Sequence, residues 1–527
     1  MKKLFSMLLI VALALSVVAV PALAEGNIIT AISDDPQQMD PTLNSYSRSS
    51  QVLQNLFKGL YKLNAEGTEF VPAMAESVEI SEDQKTYTFT LREGLKWSDG
   101  SDLTAYDFEY SWIRTLDPES RTNSDLWIIK NGEAYYRGEC SAEEVGIKAV
   151  DDRTFVVELA NITPWFLMLT STTSFLPVCK AVVEANTDWA QSPDPATYVS
   201  NGPFMLQEYA SLDKIVMVKN PNYYAADDVK VDSVQYSIIP ETATELLAYK
   251  NGDINVSLNL DQQGISDFSG TDELIQLPRI GVQYCDFNTT LPEFSDNRVR
   301  KAFAYAINRQ VLLNAMGVVE KPVYGFVPYA QPSLTDSSKS YRDIAGDMFT
   351  EDVEAAKALM AEAGYPNGEG FPTITIVTQN SVQQSILAQV LGDMWKTNLG
   401  VNYELQSYES SVYWDELDEG HFSVDRNGYT CDYSDPSANL QIWITGSSCY
   451  ENGWDDPVYD EMFNATLAMT DPAEREAALI ECEKYLVEQM PGMPVYSMET
   501  QLLVKPEIKG VIANPIGHVN FEYASIG

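Results

Sequence analysis

The chain has 527 residues, 45% of them hydrophobic and 11% aromatic, which is enough for two or three globular domains. With 76 acidic residues against 34 basic ones the formal charge is −42, so the chain lacks the basic stripe that phosphate recognition needs, and nucleic-acid binding is excluded. Such acidity favours solubility and attracts cations at low ionic strength, although a solvated acidic surface is the simpler reading.

Lys2 and Lys3 precede an apolar stretch over 4–20, and Pro21-Ala22-Leu23-Ala24 then leads to Glu25. This is the pattern of a cleavable secretory signal over 1–24, with small residues at the cleavage point. Its removal takes two lysines and no acid, leaving a mature charge of −44. No later apolar run approaches the roughly 20 residues that span a bilayer, so the expected mature chain is exported and periplasmic or outside the cell.

In the amino-terminal half, 85–92 alternates Tyr87, Phe89 and Leu91 with threonines, which predicts a half-buried strand. Asp99-Gly100 reads as a turn, and Phe108, Trp112 and Leu116 follow at helical spacing. In the second half, 350–364 predicts a helix with Thr350 as candidate N-cap and Gly364 as stop. A β-branched strand over 373–377, a helix over 381–398 that stops at Gly400, and a strand over 401–405 make a crossover unit, whose two strands should be parallel. Asp471, Pro472 and Glu474 open a further helix. The alternation predicts an α/β fold. No repeat or Pro/Gly/Ser-rich linker occurs, so domains must be joined by short crossings.

Chemistry-bearing residues are sparse. His421 and His518 are the only histidines, no His-Glu-x-x-His or Gly-x-Ser-x-Gly occurs, and the cysteines at 140, 179, 285, 431, 449 and 482 show no zinc spacing. A histidine-ligated metal is disfavoured and no cofactor is expected. A secreted hydrolase working through paired carboxylates is the rival function class, and no local arrangement supports it. Cys482 stands among Ala478, Leu479 and Leu486 at helical spacing, which predicts a buried free thiol.

The most informative segment is Arg426-Asn-Gly-Tyr-Thr-Cys-Asp-Tyr-Ser-Asp-Pro436, where Asp432 stands among aromatics and turn formers. An Asp in such a stretch either caps a turn or serves a ligand. The segment resembles the part of extracytoplasmic oligopeptide- and dipeptide-binding proteins, solute-binding family 5, that holds a peptide's ammonium end. The resemblance extends along nearly the whole mature chain. Asp34-Asp-Pro-Gln-Gln-Met-Asp-Pro41, Asn55-Leu-Phe-Lys-Gly-Leu60, Ala75-Glu-Ser77, Asn201-Gly-Pro-Phe204, Asn220-Pro-Asn-Tyr-Tyr224 and Val299-Arg-Lys-Ala-Phe-Ala-Tyr-Ala-Ile-Asn-Arg309 follow the family's segments in order.

The resemblance implies a two-lobed periplasmic-binding-protein-like fold of class II (cluster C), with an extra domain in the first lobe. Lobe one would take 25–64, 182–283 and 500–527, the extra domain 65–181 and lobe two 284–499, with two crossings of the hinge. It implies a non-enzymatic, monomeric component of an ABC importer that encloses a peptide and docks on the permease subunits. Enclosure strips water from the peptide's charges, so a carboxylate partner for the ammonium offsets a large desolvation penalty.

By the same resemblance Asp432 would take the ammonium, and Arg426 would support the carboxylate end, with a structural ion pair to Asp425 or Asp432 as its alternative. Gly428 would let backbone approach backbone. Tyr429, where tryptophan is commoner, would wall a side-chain pocket or pack in the core. Gln384 falls where some members have a histidine facing the carboxylate, and Ser45, Tyr46 and Ser47 fall where an extended strand pairs with peptide. Cys431 could close a loop with Cys449, with Cys285 as rival partner. Many family members in single-membrane bacteria are tethered through a lipid-modified cysteine, and the leader has none. Departures at 119–129 and Thr430 leave ligand length open, and the fold also hosts binders of nickel, haem and sugars.

Overall fold

The computed structural model describes residues 26–118, 120, 124–336, 338–431, 433–447 and 452–527, with backbone only at 124, 410 and 411. The leader, Asp432 and Cys449 lie outside the described residues.

Two large apolar cores organise the α/β fold. In the first, one sheet runs in the order Asn27–Ile32, Ser233–Ile238, Lys214–Lys219, Phe204–Ala210, parallel at its first pairing and antiparallel at the others. A second, antiparallel sheet runs in the order Ala75–Ile80, Thr86–Leu91, Thr154–Glu158, Ile147–Ala149. The alternation at 85–92 has the expected result: Tyr87, Phe89 and Leu91 are buried. The Ala105–Thr115 helix, opened by a Thr104/Asp107 capping box, lays Phe108 and Trp112 on this sheet, with the Trp112 and Phe155 rings 5.0 Å apart edge to face. Both sheets feed one continuous core.

The second core surrounds a seven-stranded sheet that contains the crossover unit. Strand Ile374–Gln379 is parallel to Tyr403–Tyr408, and the helix between them spans Val382–Leu399. Ser381 accepts the N–H of Gln384 at the helix start, and Gly400 ends it in the left-handed region at φ 77°. The Val353–Glu362 helix starts later than expected. Its cap is Asp352 and not Thr350, because one carboxylate oxygen accepts the N–H of both Glu354 and Ala355. Asp471 caps the Pro472–Gln489 helix as the sequence indicates, and this helix buries Leu479, Cys482 and Leu486. Cys482 is a free thiol, as is Cys285, and burial pushes the Cys482 thiol up to about 11.

Two long antiparallel strands, Leu274–Phe287 and Gly492–Val504, run from one core to the other. Their register shifts between Pro278 and Val282, where Ile280 turns its N–H to Pro515 and its carbonyl to the N–H of Cys431. Proline at 278 donates no ladder hydrogen bond. The break directs the backbone on either side of it toward the junction between the cores.

Candidate interlobe binding site

The segment singled out in the sequence begins as strand Val424–Thr430, held between Leu274–Phe287 and Ile374–Gln379. The antiparallel register sets Arg426 against Cys285, Gly428 against Gln283 and Thr430 against Gly281. The Arg426 guanidinium donates to Gln283 Oε1, and among the described residues it forms no ion pair. The alternative of a structural pair with Asp425 is therefore not realised; Asp425 Oδ2 instead accepts the Tyr413 hydroxyl at 3.0 Å. A Cβ on Gly428 would meet Gln283 Nε2 at 2.8 Å and Met498 Cε at 2.9 Å. Tyr429 is partly buried and packs against both cores.

Beyond the strand, the turn before the Pro436–Leu440 helix is capped by Asp435, whose Oδ1 accepts from the N–H and hydroxyl of Ser437. Both Asp435 oxygens also receive the Arg475 guanidinium, at 2.6 and 2.8 Å, in a buried bidentate pair. Trp165 reaches this turn from the first core. Its ring stacks on Tyr433 at 4.5 Å and 7°, and Arg475 lies over it at 5.4 Å. Among the described residues of the segment, Asp435 is a helix cap.

Where Thr430 and Cys431 leave the strand, they line a cavity of about 370 Å³. Ser45 and Ser47 line its other side, so these two serines are brought together with the residues immediately before Asp432. The expected extended strand is present only in part: Tyr46 is extended, but Ser47 already opens the Ser47–Leu56 helix. Tyr46 is half exposed and is not part of the wall. Gln384 is not brought here either. Its side-chain oxygen accepts the N–H of Gln379 at 2.8 Å and so ties the crossover helix to the end of its strand.

The wall also contains residues that sequence reasoning missed, chiefly Arg279, His518 and Asp125. His518 Nε2 lies 3.1 Å from Ser47 Oγ, and burial together with nearby Arg279 lowers its pKa to about 4, so the ring is neutral at pH 7. Asp125 Oδ2 accepts from Ser174 Oγ at 2.7 Å, and burial raises its pKa. The signal for Arg279 was available: it is a lone cation in the run Leu277-Pro-Arg-Ile-Gly-Val282, placed straight after a strand proline. A second cavity of about 720 Å³, with Trp165, Gln331 and Ser434 in its wall, continues the junction. Among the described residues no group of His, Cys, Asp and Glu is arranged to hold a metal ion, and no helix is long and apolar enough to cross a membrane.

Residues 69–450 match the family model of bacterial extracellular solute-binding proteins, family 5. The chain belongs to this family. As a member of family 5 it is a non-enzymatic binding protein with the two-lobed fold. It is 31% identical over 500 residues to the dipeptide-binding protein DppE of Bacillus subtilis, covering 93% of this chain and 90% of that one. It is 32% identical over 505 residues to the oligopeptide-binding protein OppA of the same organism, covering 94% and 91%. The solved structure of the Escherichia coli murein tripeptide-binding protein MppA superposes with a TM-score of 0.76 at 30% identity, covering 96% of this chain and 99% of the other.

Proposed function

We propose that this chain is the extracytoplasmic substrate-binding component of an ABC importer, and that it encloses a peptide between its two lobes and presents it to the membrane permease. One observation carries the reading: Ser45 and Ser47 at the start of the Ser47–Leu56 helix face one cavity with Thr430 and Cys431 at the end of the Val424–Thr430 strand, and the next residue in the chain is Asp432. Asp432 takes the peptide's ammonium in this reading, and Arg426, already held by Gln283, is the neighbouring support for a carboxylate. Gly428 and Tyr429 shape the strand between them, and Gln384 acts by holding the crossover helix in place.

The reading includes a division into lobe one at 25–64, 182–283 and 500–527, an extra domain at 65–181 and lobe two at 284–499. The two long strands are then the hinge crossings. The names of relatives that bind dipeptides, oligopeptides and a murein tripeptide support peptides as the ligand class. The protein is exported through its leader and acts as a monomer.

The test is calorimetric titration with peptides recovered from a pool by the native protein and identified by mass spectrometry. Asp432→Ala should weaken binding by about 2–5 kcal/mol, the cost of removing one member of a desolvated charge pair. An N-acetylated peptide should lose a similar amount on the unaltered protein. Undiminished affinity in both would reject the role of Asp432, and cleaved peptides in the recovered fraction would reject the binding function itself.

A further inference from the structure

The chain carries more than two acids for every base, yet among the described residues Arg279 forms no ion pair. Its Nε is buried without a hydrogen bond, and among the described residues no carboxylate lies within ion-pair distance of its guanidinium. Arg279 is half-buried, and a cation partly withdrawn from water without a counter-charge carries a desolvation cost that an anion in the cavity would offset. The surroundings are built to keep this charge in place. Arg279 follows Pro278 at the register break of the long strand, so its backbone is fixed where the two cores meet. Gly517 leaves room for the side chain, since a Cβ there would lie 3.4 Å from Arg279 Nε and 3.1 Å from Thr500 Oγ1.

The rest of the cavity is consistent with an anion. His518 stands beside Arg279 with its Nδ1 buried and without a partner, and Ser47, Thr173 and Ser174 add hydroxyls to the wall. The one carboxylate among the described wall residues, Asp125, is held by Ser174 and not by Arg279. The planar guanidinium offers paired N–H donors that suit a carboxylate.

We propose that Arg279 anchors an anionic subsite that receives a carboxylate of the bound peptide, beside the Thr430–Cys431 edge and apart from Arg426. This rests on the peptide-binding reading and deepens it, because it makes an acidic peptide the preferred cargo of an acidic protein. The carboxylate comes either from an Asp or Glu side chain or from the carboxyl terminus of a short peptide, and these two sources can be told apart.

The experiment offers the intact protein equimolar tripeptide pools with Glu or Gln at each position, each with a free or an amidated carboxyl terminus, and quantifies the bound peptides by mass spectrometry. The unaltered protein should recover carboxylate-bearing peptides about tenfold over their amide isosteres. Arg279→Gln should bring that ratio near one while still recovering the amides, and Arg279→Lys should keep part of the preference. A ratio that collapses between Glu and Gln assigns the side chain; one that collapses between free and amidated ends assigns the terminus. Peptide recovery with no carboxylate preference in the unaltered protein, or a preference unchanged in Arg279→Gln, overturns the subsite and leaves peptide binding standing. Recovery of no peptide at all rejects both. Should Arg279→Gln fail to fold, the isostere ratio of the unaltered protein and the Arg279→Lys variant decide the matter.

Discussion

His518 illustrates how a single buried side chain links the site to stability. The charged residues in the walls of the cavities it lines are Arg279, Lys58, Lys62, Arg48 and Asp125, and burial followed by Arg279 holds its pKa at about 4. In the unfolded chain the ring titrates near 6.5, so between about pH 4 and 6.5 the unfolded state binds the extra proton. Stability is therefore full above that window and falls as the pH drops through it. Urea melts of the ligand-free protein should show this loss, and His518→Gln should reduce the slope by up to about 1.4 kcal/mol per pH unit, the share of one proton. An identical slope in the variant would show that the histidine is not held neutral.

At the scale of elements, three of the sequence segments that signalled the family, 55–60, 201–204 and 220–224, turn out to be joints of the first core. Asn201 exchanges two hydrogen bonds with the Lys58 backbone, and Gly202 donates to the Leu56 carbonyl. Asn220 reaches the Gly202 carbonyl, and Asn55 binds the backbone of Val519 and Phe521, tying the first helix to the tail. A Cβ on Gly202 would lie 2.6 Å from the Leu56 carbonyl and 2.8 Å from Phe57 N, backbone atoms that cannot rotate away. Gly202→Ala should cost about 2–3 kcal/mol or more in a denaturant melt. Gly428→Ala meets only the mobile ends of Gln283 and Met498 and should cost less, and the reverse order would contradict this account of the joints.

At the scale of the molecule, two packed cores are joined by two long strands, which the proposed lobe division makes the hinge, and specific contacts link them. Tyr429 touches both cores, Trp165 stacks on Tyr433, and Gln331 Nε2 donates to Ser434 Oγ at 3.4 Å. A ligand that bridges the cores adds contacts available only when they are together, so it shifts the population toward closure. Small-angle scattering should show a smaller radius of gyration with bound peptide. At a hundredfold excess over Kd the unfolding free energy should rise by about 2.7 kcal/mol. Trp165→Ala should weaken affinity and shift the ligand-free protein toward the open form, and scattering curves that do not change with ligand or variant would exclude closure.

What was legible in the sequence is what local physics sets. Alternation at 85–92 produced a strand with one buried face, and Ser381 and Gly400 bounded the crossover helix because caps act on the nearest backbone groups. Even there, Asp352 displaced Thr350, since the choice between two nearby caps depends on which reaches two amides at once. Only the tertiary structure put Ser45 and Ser47 beside Thr430 and Cys431, paired Asp435 with Arg475, and fixed Gln384 to its own strand end. Only it left the Nε of Arg279 buried without a hydrogen bond among the described residues. A charge's partner is set by distance in space, and a register break in one long strand brought this cation to a cavity wall where, among the described residues, it pairs with no carboxylate.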